Sequence, residues 1–174
     1  MLTDDGSGSH AFRQVTTDHR PDEPSEKRRL SPFLARGDIT LHCSSGGRDV
    51  RVNPGGLAVS RTIGDISASK AVICTPEVIN VPLKISAADN DKEQIQRFVL
   101  ATDGLFDVLS NEQVGKAAAV KSKSKSTRTT ATEAAEKVLK KCLSHGGKRD
   151  DVTVCVVDVS YIRQEGSIRE CQSS

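Results

Sequence analysis

Aromatic residues and paired cysteines are scarce in this sequence. It has no tryptophan, one tyrosine and four phenylalanines in 174 residues. Its five cysteines are odd in number and show no Cys-x-x-Cys spacing, which argues against both a disulfide framework and a zinc ribbon. No apolar run approaches the ~18 residues of a membrane span, and the first residues lack the pattern of a signal peptide. We therefore expect reduced thiols, no membrane partner and an intracellular location, in the cytoplasm or the nucleus.

Charge imbalance is also absent, since 25 Lys and Arg residues face 23 Asp and Glu residues. The exception is local: residues 121–128, KSKSKSTR, carry four cations with interleaved hydroxyls. Such a stretch could contact RNA or anionic lipid, or be phosphorylated. No aromatic residue lies nearby to stack on bases, which weakens the case for nucleic acid. We interpret the stretch as a solvated surface loop and expect no nucleic-acid partner.

Hydrophobic periodicity predicts a single α+β domain. The apolar run at 98–101 is typical of a buried strand, and residues 152–159 form the strongest strand pattern. A helix is predicted at 111–119, where Ser110 and Gln113 form a capping box. The clearest helix spans 130–144, with apolar residues on one face.

Weaker patterns predict further elements. They indicate strands at 11–16, 38–42, 50–52 and 77–82, a short helix at 25–30 capped by Ser25, and a helix at 57–65 broken at Gly64. We expect residues 1–10 to be a flexible N-terminus, residues 11–160 to be the domain, and residues 161–174 to be a polar tail.

Four acidic residues flank the two strongest strand patterns. Asp103 and Asp107 follow the first strand, and Asp150 and Asp151 precede the second. If these strands are antiparallel neighbours, their acidic ends meet at one edge of the sheet and need a cation. Oxygen ligands favour Mg²⁺ or Mn²⁺, and two such ions can activate water and hold a phosphoryl group. The alternative is that these acids are ordinary turn residues.

Five motifs occur in one order along the chain: TTDHRPDEPSEKRR at 16–29, GGLAVSRTIGD at 55–65, TPEV at 75–78, ATDGLFDVLSNEQV at 101–114 and KRDDVTVCVV at 148–157. Together they resemble the motifs of the metal-dependent protein serine/threonine phosphatases, the PPM or type 2C family. The resemblance covers residues 11–160. It implies an α-β-β-α four-layer sandwich, incomplete at the N-terminus.

The resemblance also implies a function and a site. The family hydrolyses phosphoserine and phosphothreonine on proteins by a metal-activated water, with two Mg²⁺ or Mn²⁺ ions and no covalent phosphoenzyme. Transferred by motif, Asp103 and Asp150 are the metal ligands, and Asp107 resembles the acid of a third, weaker site. Arg61 and Asp65 are expected to form a buried structural pair, and residues 66–71 to belong to a flap that influences substrate choice. A complete domain is expected to be monomeric, with phosphorylated proteins as substrates.

The sequence departs from the family pattern in one important respect. The family's Asp-Gly-His-Gly motif, its phosphate-binding arginine, its proposed general-acid histidine and its Gly-Asp-Ser strand do not occur here. The chain therefore resembles the C-terminal half of a phosphatase domain, and we expect it to be inactive and poorly soluble alone. Two alternatives remain, a non-catalytic pseudophosphatase that acts as an interaction module, and a truncated gene model.

A second kind of phosphatase site is weakly indicated by His42, Cys43 and Arg48, which resemble the His-Cys-x5-Arg loop of cysteine-dependent phosphatases. Only four residues separate Cys43 from Arg48, whereas that phosphate-binding loop needs five. No strong helix pattern follows the arginine to supply a helix N-terminus. We interpret the two glycines in this stretch as a hairpin turn.

Overall fold

The computed structural model describes residues 2–4, 12–43, 49–65, 70–82, 94–120, 129–146 and 150–161. The chain divides into two compact units. Unit 1 contains Met1–Thr16 and Asn80–Ser174, and unit 2 contains Thr17–Ile79. Within the described ranges, no helix combines the length and the apolar character needed to cross a membrane.

Helices and strands alternate irregularly along the chain, as expected for an α+β protein. In chain order the elements are β1 (Leu2–Asp4), β2 (Phe12–Gln14), α1 (Pro24–Arg36), β3 (Thr40–Cys43), β4 (Val50–Asn53), β5 (Gln94–Ala101), α2 (Asp103–Phe106), α3 (Asn111–Ala118), α4 (Ala131–Ser144) and β6 (Val154–Tyr161).

A four-stranded antiparallel sheet organises unit 1, with the strand order β2-β1-β5-β6. The two predicted strands become β5 and β6, which pair over their full lengths. Our expectation of a flexible terminus over residues 1–10 is wrong for Leu2–Asp4, which form β1. These residues pair with β2 on one side and β5 on the other, so main-chain hydrogen bonding outweighs the polar composition of the segment.

One face of this sheet forms the core of unit 1 together with α2, α3 and α4. The fully buried members of this core are Val99, Leu105, Leu109, Val114, Ala118, Val138 and Cys142. Both long helices begin as the sequence predicts, α3 at the Ser110 capping box and α4 at Thr130. On α4, Leu139 and Leu143 are 36% and 47% exposed, so the buried stripe is narrower than predicted.

Arg97 is the unexpected member of this buried layer, because it is 0% exposed. Its guanidinium donates to both carboxylate oxygens of Asp158, each at 2.6 Å. It also donates to the carbonyl of Ala118 at 2.7 Å and to the carbonyl of Thr129 at 2.9 Å. These four hydrogen bonds compensate the desolvation of the charge and tie β5 to the end of α3 and the start of α4.

The other face of the sheet remains more open. Leu100 on β5 is 40% exposed and Val157 on β6 is 41% exposed. Cys155, which is the register partner of Leu100, is also exposed. Side chains alternate between the two faces of a strand, so Val99 enters the core while Leu100 points to the opposite side.

Unit 2 combines α1 with the β3–β4 hairpin around a small core of Leu30, Ile39, Val52 and Ala71. α1 is longer than the predicted helix at 25–30, and its cap is Glu23 rather than Ser25. The Glu23 carboxylate accepts hydrogen bonds from the N–H groups of Ser25 and Glu26 at 2.8 and 3.1 Å. A cap must satisfy the first free N–H groups of a helix, and Glu23 does so here.

Two further predictions for this region are wrong. Residues 77–82 do not form a strand, and Val78 within them is 83% exposed. The proline at residue 82 lacks the N–H that a ladder requires. Residues 57–65 do not form a helix but make isolated bridges, Val52 with Leu57 and Arg61 with Ile73. Pairing with neighbouring segments therefore outweighs the local helical pattern.

Candidate metal centre

The antiparallel pairing of β5 with β6 brings two acidic segments to one edge of the sheet. Ala101 pairs with Val154 at the end of the ladder. Asp103 lies two residues after Ala101, and Asp150 lies in the segment that leads into β6, four residues before Val154. The two strands are antiparallel neighbours, which is the condition under which their acidic ends were expected to meet. We call residues 101–104 and 150–154 the acidic edge.

Thr102 extends the contact between the two segments past the end of the ladder. Its N–H donates to the carbonyl of Thr153 at 3.1 Å. Its hydroxyl Oγ1 accepts from the N–H of Thr153 at 3.0 Å and donates to the carbonyl of Asp151 at 3.2 Å. One residue therefore makes three hydrogen bonds to the segment that leads out of Asp150.

Gly104 allows the two segments to approach closely. A Cβ atom at this position would lie 2.5 Å from the carbonyl oxygen of Asp151, which is inside van der Waals contact. Gly104 is the second residue of α2 and has no left-handed backbone. The glycine is therefore required by the close approach of another backbone and not by its own backbone conformation.

Asp103 and Asp150 are both exposed, and neighbouring N–H groups hold their carboxylates. Asp103 Oδ1 accepts from the N–H of Gly104 at 3.0 Å, and Asp150 Oδ1 accepts from the N–H of Asp151 at 2.8 Å. Within the described part of the chain, neither carboxylate forms a salt bridge with a cationic side chain. Oxygens on both remain available for a ligand.

Asp107, the third predicted ligand, lies at the C-terminal end of α2. It is exposed, and its N–H donates to the carbonyl of Asp103 at 2.8 Å. Among the described residues, no group of three or more His, Cys, Asp or Glu side chains is arranged to hold a metal ion. The carboxylates fit a hard cation by donor type. They supply only part of the about six oxygen ligands that Mg²⁺ takes.

The predicted Arg61–Asp65 pair is wrong. Asp65 is exposed and accepts a hydrogen bond from Thr62 Oγ1 at 2.6 Å. Arg61 instead donates through Nε and Nη2 to Glu26 Oε1, at 3.0 and 2.5 Å. Both N–H groups of Arg61 therefore donate to the same carboxylate oxygen, and the acid comes from α1 rather than from the same motif.

Glu26 is the centre of this contact and is 1% exposed. Its second oxygen, Oε2, accepts from Arg29 Nε and Nη2 at 3.0 and 2.6 Å, and from Ser60 Oγ at 2.7 Å. We call Glu26, Arg29, Ser60 and Arg61 the Glu26 cluster. Sequence reasoning missed it. The spacing of Glu26 and Arg29 predicts a pair on one helix, but nothing local indicates that the pair is buried.

The cluster changes the ionisation of its central acid. Burial by itself raises the pKa of Glu26, but the hydrogen bonds from Arg61, Arg29 and Ser60 outweigh it and lower the pKa to about 2. Glu26 is therefore ionised in the folded protein at neutral pH, with both of its oxygens occupied by internal donors.

The same arginines hold main-chain groups before, at the end of and after the expected flap at 66–71. Arg29 donates to the carbonyl of Ala71 at 2.5 Å and to the carbonyl of Ser60 at 3.0 Å. Arg61 donates to the carbonyl of Thr75 at 3.1 Å. Residues 66–69 of the flap lie outside the described residues.

Other sequence predictions fall partly outside the described ranges. Cys43 is exposed on β3, but residues 44–48 of the His-Cys-x4-Arg stretch are not described. Neither is the basic stretch at 121–128, nor the expected tail beyond Tyr161, the last residue of β6. Four cysteines are described, and none of these four forms a disulfide within the described ranges: Cys43, Cys74, Cys142 and Cys155.

Comparison with known proteins identifies one family. The family model for Protein phosphatase 2C matches residues 1–151. Probable protein phosphatase 2C 33 of Oryza sativa subsp. japonica is 33% identical over 148 residues, which cover 83% of this chain and 30% of that protein. Probable protein phosphatase 2C 5 of Arabidopsis thaliana is also 33% identical over 148 residues, which cover 83% of this chain and 31% of that protein.

A solved structure shows the same fold. The crystal structure of serine-threonine phosphatase 2C from Toxoplasma gondii superposes with a TM-score of 0.61 at 20% sequence identity. The match covers 90% of this chain and 50% of that one. The chain thus spans less than a third of the length of these two curated relatives and half of the solved neighbour.

Proposed function

Since this chain belongs to the protein phosphatase 2C family and has the α+β fold of its phosphatase domain, we propose that it serves the metal-dependent hydrolysis of phosphoserine and phosphothreonine on proteins. The observation that carries the proposal is the acidic edge. There the exposed Asp103 follows β5 and the exposed Asp150 precedes β6, and these two strands pair directly.

We assign Asp103 and Asp150 as ligands of Mg²⁺ or Mn²⁺, and Asp107 as a more peripheral ligand. Bound there, the cation supplies an activated water at neutral pH and compensates charge on a phosphoryl group. The residues of this chain bind the cation through carboxylate oxygens that no arginine or lysine of the described part occupies. Their main-chain contacts to Gly104 and Asp151 hold each carboxylate near its own backbone.

We further propose that the isolated chain has little or no phosphatase activity. Its sequence contains no Asp-Gly-His-Gly motif, and its described residues supply fewer than three clustered metal ligands. A cation held by two carboxylates alone is bound weakly, because most of its coordination positions go to water. This second observation favours a non-catalytic interaction module as the alternative function.

Calorimetric titration with Mn²⁺ tests the ligand assignment. We expect Asp103→Asn and Asp150→Asn each to weaken Mn²⁺ binding at least about tenfold, and Asp107→Asn to weaken it less. The matched control is Glu112→Gln, which changes an exposed acid on α3 that pairs with Lys116 and is not part of the acidic edge. Equal Mn²⁺ affinities for Asp103→Asn, Asp150→Asn and the control would overturn the assignment.

An activity assay separates the two functions. With p-nitrophenyl phosphate and a phosphothreonine peptide, we expect the purified chain to show no Mn²⁺-dependent turnover. Turnover that disappears in Asp103→Asn would show that the chain is active alone and that the second part of the proposal is wrong. Absence of Mn²⁺ binding by the unmodified chain would instead support the interaction module.

A further inference from the structure

We propose that Thr102 is a positioning residue whose hydroxyl holds the Asp103 and Asp150 segments together and so sets the separation of the two carboxylates. This inference rests on the proposed metal site. It assigns Thr102 no contact with the cation and no part in the chemistry.

The structural basis is the place where the ladder ends. β5 ends at Ala101, which pairs with Val154, and residues 151–153 are not part of β6. Past this point one main-chain hydrogen bond remains, from the N–H of Thr102 to the carbonyl of Thr153 at 3.1 Å. The N–H of Thr153 and the carbonyl of Asp151 are bonded by the Thr102 hydroxyl, at 3.0 and 3.2 Å. A hydroxyl can accept one hydrogen bond and donate another, so one side chain serves both groups.

The carbonyl of Asp151 is held from two directions. The Thr102 hydroxyl donates to it, and the backbone of Gly104 lies so close that a Cβ there would be 2.5 Å from its oxygen. Thr102 and Gly104 directly flank Asp103, and Asp151 directly follows Asp150. The carboxylate of Asp103 accepts from the N–H of Gly104, and that of Asp150 accepts from the N–H of Asp151. The main chains of Gly104 and Asp151 are in turn in close contact with each other.

The spacing of two carboxylates matters for the expected cation. Mg²⁺ accepts oxygen ligands only near about 2.0–2.1 Å and in nearly octahedral geometry. Groups that orient metal ligands typically change metal affinity by about 10–100-fold when removed. Loss of the Thr102 hydroxyl should therefore weaken the cation site without removing a ligand.

Two substitutions separate the hydroxyl from the shape of the side chain. Thr102→Val keeps the branched shape and removes the hydroxyl, whereas Thr102→Ser keeps the hydroxyl. Thr102 is exposed, so both variants should retain the fold. We expect Thr102→Val to raise the Mn²⁺ dissociation constant about tenfold and Thr102→Ser to change it less than about threefold.

Amide hydrogen exchange in the absence of metal provides a second readout. The N–H of Thr153 donates to the Thr102 hydroxyl, so its exchange should accelerate about tenfold or more in Thr102→Val and stay near the unmodified rate in Thr102→Ser. The amides of α4 serve as the internal control and should keep their rates in both variants.

The outcomes distinguish this inference from the proposed function. If Thr102→Val binds Mn²⁺ as tightly as the unmodified chain while Asp103→Asn does not, the positioning role is wrong and the metal site stands. Unchanged exchange at Thr153 in Thr102→Val also overturns the role. If the unmodified chain does not bind Mn²⁺, the metal assignment fails and the positioning role fails with it.

Discussion

The carboxylates of unit 2 and unit 1 have opposite surroundings. In unit 2, Glu26 is 1% exposed and accepts hydrogen bonds from two arginines and a serine. In unit 1, Asp103 and Asp150 are exposed, and the N–H groups of the residues that follow them are their hydrogen-bond donors. The lone pairs of Glu26 are used inside the protein, whereas those of the two aspartates remain accessible. Burial and partners thus separate a structural acid from a candidate metal ligand, although both lie in family motifs.

The largest expected effect is on the structural acid. Glu26→Ala leaves Arg29 and Arg61 without their carboxylate, and breaking a buried ion pair in this way costs about 3–5 kcal/mol. Glu26→Gln should lower the free energy of unfolding by a similar amount. The amide has one accepting oxygen, and its NH₂ group cannot accept the hydrogen bonds that the second carboxylate oxygen accepts. Urea unfolding, with the slope held constant between variants, measures the change in the free energy of unfolding.

Asp103→Asn is the matched control for this comparison. It changes an exposed acid to its amide, so the free energy of unfolding should stay within about 0.5 kcal/mol of the original value. If Asp103→Asn were as destabilising as Glu26→Gln, the distinction between the buried structural acid and the exposed candidate ligand would be wrong.

The second prediction concerns the pH dependence of stability. The folded-state pKa of Glu26 is about 2, below its ordinary value of 4.5, because of the hydrogen bonds that outweigh its burial. An acid whose pKa is lowered by folding stabilises the folded state at pH values above its ordinary pKa. This contribution is lost as the pH falls toward the folded-state pKa. The difference in unfolding free energy between the unmodified chain and Glu26→Gln should therefore be largest above about pH 5 and shrink toward pH 2.

Urea unfolding at several pH values between 5 and 3 measures this difference, because the range spans much of that loss. A difference that stays constant over the range would show that the Glu26 cluster does not stabilise the ionised form of Glu26.

A smaller effect is expected from the backbone contact at the acidic edge. Gly104→Ala forces a Cβ against the carbonyl of Asp151, and overpacking of this kind costs about 1–3 kcal/mol. The comparison variant is Gly37→Ala, where φ is +74° but no atom lies within 4 Å of the added Cβ. It should show only the cost of the left-handed backbone, about 1–2 kcal/mol.

Thermal unfolding of the two glycine variants, followed by exchange at the amide of Thr153, separates these causes. Gly104→Ala should increase exchange at Thr153, and Gly37→Ala should not. If both variants leave Thr153 unchanged, the close approach of Gly104 does not hold the acidic edge together.

The sequence predicted the helices of unit 1 whose boundaries are set by residues close together in the chain. The Ser110 capping box and the helix from 130 to 144 follow from side chains within a few residues of each other. The apolar patterns at 98–101 and 152–159 also predicted strands, and the acidic ends were expected to meet only if these strands paired antiparallel, as β5 and β6 do.

Contacts between residues distant in sequence could not be predicted. Nothing in the apolar run 98–101 indicates that Arg97, just before it, is fully buried. Its hydrogen bonds to the carbonyls of Ala118 and Thr129 are equally invisible in the local sequence. The sequence predicts Asp65 as the partner of Arg61, but the partner is Glu26 on α1. Thr102 and Gly104 acquire their roles from a segment about fifty residues away. Such partners are set by tertiary structure, which single-sequence patterns do not contain.

The position of β1 in the sheet has a consequence for biosynthesis. Leu2 pairs with Val99, so this strand has no β5 to pair with until the ribosome has made all of unit 2. Unit 2 is continuous from Thr17 to Ile79, and its residues emerge from the ribosome in one stretch. Pairings between distant segments form slowly compared with local contacts. Of the two units, translation order therefore favours unit 2 as the one that folds earlier, and the acidic edge can form only after β6 has been made.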